Sequence, residues 1–239
     1  MFEQYYYLAS KVAPAAPTTY PDAVLALSPT AFWRLGESSG NAADSSGNGY
    51  TLTASGSLTY SQSGWPTDGD TAIAWGASGK FNIADATWQN PGTSDYSLSL
   101  CLKYASWPVA EEWVVAKNGG GTSGQWGLRT PTASTVMQVI VGNNNFNVSI
   151  GAALNDGAWH HLVLTCDRSD VATLYIDGSA MVDTEDISAH VALDLTDAGD
   201  LYLGGRAADK YFTGTMDEVA FWNGRLLTSG EVSTLYAAR

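Results

Sequence analysis

Apolar and polar residues alternate regularly between residues 156 and 178. Every second residue from His160 to Cys166 belongs to one face, and the run from Ala172 to Ile176 alternates in the same way. Alternation with a period of two is typical of a strand that buries one face. Polar residues 167–170 separate the runs, and such sequences form tight turns. The segment therefore predicts a β-hairpin with one buried face.

Short runs of the same kind recur along most of the chain, with glycine-rich turns between them. The further strand candidates are 31–35, 71–75, 94–104, 113–117, 126–130, 135–141, 146–150, 200–203 and 213–222. Many short strands at close spacing are typical of a two-sheet sandwich or jelly roll. Alternation is imperfect in the last candidate, which predicts a strand that is covered on both faces or interrupted by a bulge.

The end of the chain predicts one short helix. Thr228 is followed three residues later by Glu231, as in a capping box. Val232, Leu235 and Tyr236 then form a single stripe at helical spacing.

The first 22 residues differ from the rest. Tyr5, Tyr6 and Tyr7 precede a segment with prolines at positions 14, 17 and 21, which favours an extended path. We expect an N-terminal arm over residues 1–22 that attaches to a neighbouring protein through the three tyrosines; a disordered tail is the alternative. Residues 23–239 are expected to form one sandwich domain.

Charge excludes two classes of partner. The chain has 11 Lys plus Arg against 24 Asp plus Glu, a net charge of −13. Nucleic acids and anionic membranes both require clustered cations, so neither is expected as a ligand. No apolar run is long enough to span a bilayer. The N-terminus lacks a basic leader, so we expect no secretory signal and synthesis in a host cytoplasm.

The two cysteines are expected to be free thiols. Leu98, Leu100 and Leu102 share a face of their predicted strand, so Cys101 faces the other way, whereas Cys166 lies on the apolar face of its own strand. Opposite orientation disfavours a disulfide and leaves Cys166 as a small core residue.

Three separated segments carry a resemblance to a known family. Residues 31–49 contain Phe-Trp-Arg-Leu-Gly-Glu and then Ala-Asp-Ser-Ser-Gly-Asn-Gly. The hairpin contains Trp-His-His and Tyr-Ile-Asp-Gly, and residues 201–222 contain Leu-Tyr-Leu-Gly-Gly and Gly-Thr-Met-Asp-Glu-Val-Ala-Phe-Trp. In this order they resemble laminin-G-like, or concanavalin A-like lectin/glucanase, domains. The resemblance implies an all-β, two-sheet antiparallel jelly-roll sandwich, here with an extended N-terminal arm and a short C-terminal helix.

The opening of the domain carries a second resemblance. Residues 20–37 read Tyr-Pro-Asp-Ala-Val-Leu-Ala-Leu-Ser-Pro and then Phe-Trp-Arg-Leu-Gly-Glu. They are similar to the start of such domains in minor tail proteins of tailed bacteriophages. This resemblance implies a non-enzymatic structural protein on the virion surface, a capsid decoration or a tail or fibre component. It would be anchored to other virion proteins by its arm and would assemble as a homo-oligomer. A carbohydrate-binding lectin-like module is the alternative, and a glycoside hydrolase is a third.

A calcium ion is the one cofactor that the residues suggest. Asp44, Asn48 and the carbonyl groups of residues 45–49 offer hard oxygen ligands on a tight turn. Asp217 is a further candidate ligand from a neighbouring strand, and the resemblance implies a structural calcium near such positions. The alternative is that Asp44 and Asn48 form an Asx-turn and that Asp217 binds backbone.

Four tryptophans are candidates for stacking on a cell-surface glycan. Trp65, Trp88, Trp107 and Trp113 lie near sequences rich in Gly, Pro, Asn and Asp, which form the loops where lectin sites occur. The alternative is that they cover the ends of the sheets or a subunit contact.

The sequence gives little support for a histidine metal site or for a hydrolase active site. His160 and His161 are adjacent on a strand, so they point to opposite faces and cannot chelate one ion. We expect His160 in the core and His161 more exposed. Glu111 and Glu112 diverge for the same reason, and no carboxylates alternate along one strand as they do in related glycosidases. We therefore do not expect an enzyme.

Overall fold

The structure is a computed structural model that describes residues 19–65, 69–104, 106–118, 123–132, 135–150, 154–180, 184–207 and 209–239. Its strands are β1 (Ala31–Trp33), β2 (Thr53–Ser55), β3 (Leu58–Ser63), β4 (Thr71–Trp75), β5 (Lys80–Ile83), β6 (Tyr96–Lys103), β7 (Glu112–Lys117), β8 (Trp126–Thr130), β9 (Val136–Val141), β10 (Asn144–Ser149), β11 (His160–Cys166), β12 (Val171–Ile176), β13 (Ser179–Ala180), β14 (Glu185–Asp186), β15 (Leu201–Leu203) and β16 (Thr215–Asn223). The α-helices are α1 (Tyr20–Ala26) and α2 (Ser229–Ala237), and short 3-10 helices span Thr87–Gln89 and Ser188–His190.

The strands form two antiparallel sheets. The nine-stranded sheet has the order β13-β12-β11-β6-β16-β4-β3, with β1 paired to β16 and β14 paired to β12. The seven-stranded sheet has the order β10-β9-β8-β7-β15-β5-β2. The non-sequential neighbours are typical of a jelly roll. This arrangement confirms the all-β, two-sheet antiparallel sandwich with a short C-terminal helix.

The main core lies between the sheets. Leu98, Leu100 and Leu102 point into it from β6, as their alternation predicts. Trp126 of the seven-stranded sheet stacks on Phe221 of the other sheet, with ring centroids 4.8 Å apart. Full burial of each such side chain contributes about 1.5–3 kcal/mol, so these contacts hold the two sheets together.

The outer face of the nine-stranded sheet is covered by the two helices. Val232 and Leu235 of α2 pack there with Cys101 and Trp222 of the sheet. The predicted capping box is present, because Thr228 accepts from the amide of Glu231 and the Glu231 carboxylate accepts from the amide of Thr228. Cys101 and Cys166 are both buried and free, as predicted.

Helix α1 was not predicted. Thr19 caps it by accepting from the Asp22 amide, and Pro21 lies in the first turn, where its lack of an N–H costs nothing. Tyr20 is fully buried, and its hydroxyl lies 2.9 Å from Ser99 Oγ and 3.1 Å from His161 Nε2. Residues 20–22, assigned to the arm from their prolines and position, therefore belong to this helix. Tyr5, Tyr6 and Tyr7 lie outside the described residues.

The helices also overturn the expectation for His161. Its side chain is fully buried, because α1 and α2 cover the face of β11 to which it points. His160 points to the opposite face, as predicted, and is 8% exposed. The hairpin β11–β12 is confirmed, with Leu164 opposite Leu174.

The predicted irregularity in the last strand is a bulge. The register between β16 and β6 shifts between Asp217 and Ala220, and Glu218 has a φ of 53°. Both faces of β16 are buried at this point. In the part of the chain that the structure describes, neither helix is long and apolar enough to cross a membrane.

Candidate functional site

The four candidate tryptophans do not come together. Trp88 precedes β6 and Trp107 follows it, so they lie at opposite ends of the sandwich. Trp65 lies on the outer side of the nine-stranded sheet, stacked on His161 at 5.7 Å. Trp113 lies on the outer face of the seven-stranded sheet. The structure therefore offers four separate positions and no single aromatic site formed by this set.

Trp113 is not available for stacking, so this part of the glycan prediction is wrong. Only 1% of its surface is exposed, because Ile140 and Tyr202 pack beside it on the sheet. The guanidinium of Arg129 lies 5.2 Å from its ring centroid. Strand neighbours enclose the ring although its sequence position is close to a loop.

Two of the other tryptophans already use one ring face within the protein. Trp88 is half-buried and stacks on Tyr50 at 4.1 Å with an interplanar angle of 9°. Trp65 is half-buried beside His161 and Tyr236, with ring centroids 5.7 Å and 6.5 Å away. Trp107 is half-buried on the loop between β6 and β7, where it contacts Tyr104 at 5.4 Å.

A cleft opens at the end of the sandwich that carries the Trp107 loop. Its volume is about 410 Å³, within the range of about 300–1,000 Å³ that small-ligand sites occupy. It is lined by Glu111, Glu112, Asp209, Lys210, Tyr211 and Thr213, together with two alanines. These residues come from the β4–β5 turn, the β6–β7 loop, the start of β7 and the β15–β16 loop.

Close packing holds the β15–β16 loop in place. Gly204, at the start of this loop, has a φ of 77°, and a Cβ there would lie 1.9 Å from Nε1 of Trp75. Only glycine fits this approach. Farther along the loop, the carbonyl of Lys210 accepts from the Trp113 amide at 3.0 Å. Both contacts tie the cleft wall to strands.

The carboxylates of the cleft are engaged by neighbouring groups. Glu112 is 6% exposed and accepts from the amide of Thr213 at 2.9 Å and from its hydroxyl at 2.5 Å. Burial raises the pKa of Glu112, although the bonds from Thr213 oppose this effect. Asp209 accepts from Arg206 at 2.7 and 3.2 Å. The Arg206 guanidinium lowers the pKa of Asp209.

Glu111 links the cleft to the outer face of the seven-stranded sheet. Its Oε1 accepts from Trp113 Nε1 at 2.9 Å and from Arg129 Nη1 at 3.0 Å. Arg129 Nε donates to Gln138 Oε1 at 2.7 Å, and Gln138 Nε2 donates to Asn147 Oδ1 at 2.7 Å. We call Glu111, Arg129, Gln138 and Asn147 the polar row. It runs from the cleft to the edge strand β10.

The three carboxylates that line the cleft are offset by cations in and beside it. Lys210 lines the cleft with Glu111, Glu112 and Asp209. Arg129 and Arg206 lie outside the lining and pair with Glu111 and Asp209. The half-buried ring of Tyr211 adds an aromatic surface. Balanced donors and acceptors beside an aromatic ring suit a hydroxyl-rich, uncharged ligand better than an ion.

The proposed calcium loop is held by hydrogen bonds of the protein itself. Asp44 accepts from the amides of Phe32 at 3.0 Å, Ser46 at 2.9 Å and Tyr50 at 3.0 Å. Burial alone would raise the pKa of Asp44, but these amides outweigh it and lower the pKa. The bond from Ser46 spans two residues, as in the Asx-turn alternative.

The other two calcium candidates also bind protein groups. Asn48 Nδ2 donates to the carbonyl of Thr30 at 3.0 Å, and Asp217 accepts from the Trp65 amide at 2.9 Å. Among the residues with described positions, no group of three or more His, Cys, Asp and Glu could hold a metal ion. A calcium ion at this loop stays a prediction.

Sequence reasoning missed Asp209, Lys210 and Tyr211. Their segment shows no alternation, and its only signal is the Gly204-Gly205 pair, which indicates a bend. In the sequence, Glu111 and Glu112 were considered only as a possible pair of catalytic carboxylates, not as lining residues of a cleft. Their side chains do diverge, yet both border the cleft.

The two-sheet jelly roll with a cleft between loops at one end defines a lectin-like β-sandwich. The chain belongs to the concanavalin A-like lectin/glucanases superfamily, whose sequence pattern matches residues 75–233. The laminin-G-like resemblance is thereby confirmed. A comparison with curated protein sequences found no match.

Several solved structures share the fold at low sequence identity. The binding domain of Paraclostridial mosquitocidal protein 1 has a TM-score of 0.71 at 14% identity, over 89% of this chain and 52% of that chain. The binding domain of botulinum neurotoxin DC, in complex with rat synaptotagmin II, has a TM-score of 0.69 at 13% identity, over 90% and 52%. A botulinum neurotoxin type C structure, from work on cell entry that depends on interaction with two ganglioside molecules, has a TM-score of 0.67 at 13% identity, over 90% and 52%. The chain thus spans about half the length of each.

Proposed function

We propose that this protein is a non-enzymatic glycan-binding module, and that the cleft beside Tyr211 is its binding site. The observation that carries the proposal is the joint presence of one aromatic ring and several polar side chains in a cleft of about 410 Å³. Sugars offer apolar C–H faces that stack on rings and hydroxyl groups that bond to carboxylates and amides. The cleft supplies both kinds of partner.

The ligand class that fits is a neutral saccharide. The carboxylates that line the cleft are offset by Lys210 and by the arginines paired with Glu111 and Asp209, and the whole chain carries a net charge of −13. A sialylated or sulfated glycan would approach against the field of the whole protein. The botulinum neurotoxin type C of similar fold depends on two ganglioside molecules for cell entry, which supports glycan binding by this fold. Gangliosides carry sialic acid, so we expect a different ligand here.

The carboxylates of the cleft favour binding of a glycan without its hydrolysis. Glycoside hydrolysis needs one carboxyl group that is free to protonate the leaving oxygen and a second that acts as nucleophile or base. Glu112 has the raised pKa of such an acid, but both of its oxygens accept from Thr213. Glu111 and Asp209 are each paired with an arginine.

We further propose that the module is displayed on a tailed-phage particle as a capsid decoration or tail component. The support is the similarity of residues 20–37 to the openings of such domains in phage tail proteins. The described fold begins at Thr19, so residues 1–18, including Tyr5, Tyr6 and Tyr7, would form the attachment. Adhesion to a host glycan would then be the task of the sandwich.

The test of glycan binding is an array of neutral and anionic glycans probed with purified protein. Wild type is expected to bind a restricted set of neutral glycans, and Tyr211→Ala is expected to weaken that binding. Ring stacking contributes about 0.5–1.5 kcal/mol, so the loss is up to about tenfold. Tyr60→Ala is the matched control, because Tyr60 is also half-buried but lies on β3.

Two results would contradict this proposal. One is an array on which wild type binds nothing, and the other is binding that Tyr211→Ala leaves unchanged. Release of reducing ends from any bound polysaccharide would show a hydrolase instead.

The test of virion attachment is deletion of residues 1–18, which keeps the Thr19 cap of α1. The truncated protein is expected to fold with an unchanged circular dichroism spectrum and to be absent from purified particles. Its incorporation at the wild-type level would rule out the arm as the anchor. Glycan binding by the truncated protein is expected to persist, so the two proposals fail independently.

A further inference from the structure

Lys210 is the only cation among the described residues that line the cleft. Arginines hold two of the cleft carboxylates, because Arg129 pairs with Glu111 and Arg206 pairs with Asp209. No ion pair between described residues includes Lys210. The bond from Arg206 lowers the pKa of Asp209, and the charge of Lys210 adds a smaller effect. The ammonium group of Lys210 is therefore available to a ligand.

The backbone holds Lys210 in an uncommon conformation. Its φ is 59°, in the left-handed region that is unfavourable for residues with a side chain. The Lys210 carbonyl accepts from the Trp113 amide at 3.0 Å, which fixes the residue against β7. Residues in such conformations cluster at ligand sites, where the surrounding structure maintains the strain. The conformation of Lys210 thus supports a role in binding.

Glu112 supplies the opposite charge. Its two oxygens accept from the amide of Thr213 at 2.9 Å and from the Thr213 hydroxyl at 2.5 Å. Both donors are neutral, so the charge of Glu112 is not cancelled by an arginine as the charges of the other two carboxylates are. Each carboxylate oxygen has two lone pairs. Glu112 can therefore accept a further hydrogen bond from a group in the cleft.

The rest of the wall is apolar and small. Ala77 and Ala110 line the cleft together with the ring of Tyr211. The ring lies against the start of its own loop, since a Cβ on Gly205 would lie 3.2 Å from Cδ1 of Tyr211. Two methyl groups and one aromatic ring suit a small apolar group of the ligand.

We propose that the cleft recognises the acetamido group of an N-acetylated neutral sugar, and that Lys210 determines this specificity. The acetamido carbonyl accepts from Lys210, its N–H donates to Glu112, and its methyl group contacts Ala77 and Ala110. The sugar ring stacks on Tyr211. This inference rests on the proposed glycan-binding function and names the class of sugar.

Charge and shape distinguish the acetamido group from the other polar groups of sugars. A carboxylate would pair with Lys210 but would meet the like charge of Glu112, and an ammonium group would pair with Glu112 but would meet Lys210. A hydroxyl group can bond to either residue but has no methyl group to fill the apolar wall. The acetamido group is uncharged and has a donor, an acceptor and a methyl group.

The glycan array gives the first test. The neutral glycans that bind wild type are expected to carry an N-acetylated sugar. A bound set without acetamido groups overturns this inference but leaves the proposed glycan site standing. An array on which no neutral glycan binds overturns both.

NMR titration of the full chain gives the second test. N-acetylglucosamine and N-acetylgalactosamine are compared with glucose and galactose, which have the same rings without the acetamido group. At least one acetamido sugar is expected to bind about tenfold or more tightly than its parent, because it gains hydrogen bonds to charged side chains. Equal affinities for the acetamido sugars and their parents overturn the inference.

Substitutions at position 210 separate recognition from loop structure. Lys210→Met is expected to remove most of the preference for the acetamido sugar while leaving the affinity for the parent sugar unchanged. Lys210→Arg keeps the charge and is expected to retain the preference. A collapsed loop would weaken both sugars together, so only a selective loss supports the proposal.

Lys103→Met is the matched control. Lys103 is also half-buried, but its ammonium lies 5.2 Å from the ring of Trp159, which packs on the outer side of the nine-stranded sheet. This variant removes the same charge from the chain and is expected to bind as wild type does. A preference for acetamido sugars that survives in Lys210→Met overturns the role of Lys210.

Discussion

His160 and His161 are adjacent on β11 but meet opposite electrostatic environments. His160 contacts Asp177 at 2.8 Å and Asp156 at 3.0 Å. Burial alone would lower the pKa of His160, but the two carboxylates outweigh it and raise the pKa. His161 is enclosed by the helices, and burial lowers its pKa to about 3.

These shifts predict a stability maximum near pH 6.5, the ordinary pKa of histidine. The contribution of His160 is complete below that pH and is lost as the pH rises through its raised native pKa. His161 acts on the other side: below about pH 6.5 the unfolded chain binds a proton that the native state excludes. One such proton changes the unfolding free energy by about 1.4 kcal/mol per pH unit.

Urea unfolding at a series of pH values measures this profile. His160→Asn is expected to remove the loss of stability on the alkaline side while leaving the acid side unchanged. His161→Gln is expected to flatten the acid side. The explanation is wrong if His160→Asn retains the full alkaline loss.

Single residues were predictable where the cause was local. Leu98, Leu100 and Leu102 alternate, and this sufficed to place Cys101 on the opposite face. Lys117 was not predictable. It is fully buried and donates to Asp85 at 2.8 Å and to the carbonyls of Asp197 and Gly199. These partners lie in loops that are far from Lys117 in sequence, so the residues around position 117 do not predict its burial or its hydrogen bonds.

At the scale of elements, long alternating strands were predictable and short polar ones were not. The hairpin β11–β12 and strand β6 have clear apolar faces. β2 and β3 are rich in Ser and Thr and lie at sheet edges, where little apolar surface is needed. Helix α1 was hidden because Pro21 was interpreted as an extended-chain residue, although proline also fits the first turn of a helix.

The β15–β16 loop depends on one glycine, and this makes it testable. Gly204→Ala would drive a Cβ to within 1.9 Å of Trp75 Nε1. Gly224→Ala is the control, because Gly224 also has a positive φ, of 72°, but no atom lies within 4 Å of the position that its Cβ would take. Strain at positive φ costs about 1 kcal/mol or more in both, and overpacking adds about 1–3 kcal/mol at Gly204.

Thermal or urea unfolding of the two variants measures the difference. Gly204→Ala is expected to be the less stable of the two and to weaken binding at the cleft, since the loop carries Asp209, Lys210 and Tyr211. Equal stabilities would show that the approach to Trp75 does not constrain the loop.

At the scale of the whole molecule, the order of three segments along the chain was enough to predict the sandwich and its family. The cleft could not be predicted from the sequence, because its walls come from loops that are far apart along the chain. Glu112 and Thr213 meet across the fold at 2.5 Å. The sequence pointed to loops as the place of a binding site, and the proposed cleft is formed mainly by loops. The expected set of tryptophans, by contrast, is spread over four positions.

Binding of a neutral glycan in the cleft beside Tyr211 can be observed directly by NMR chemical-shift mapping. The full chain is titrated with a glycan selected on the array. We expect saturable shifts confined to residues 209–213 and to Glu111 and Glu112 around the cleft. Shifts centred on Trp88 at the opposite end of the sandwich, or no saturable shifts with any neutral glycan, would contradict binding at this cleft.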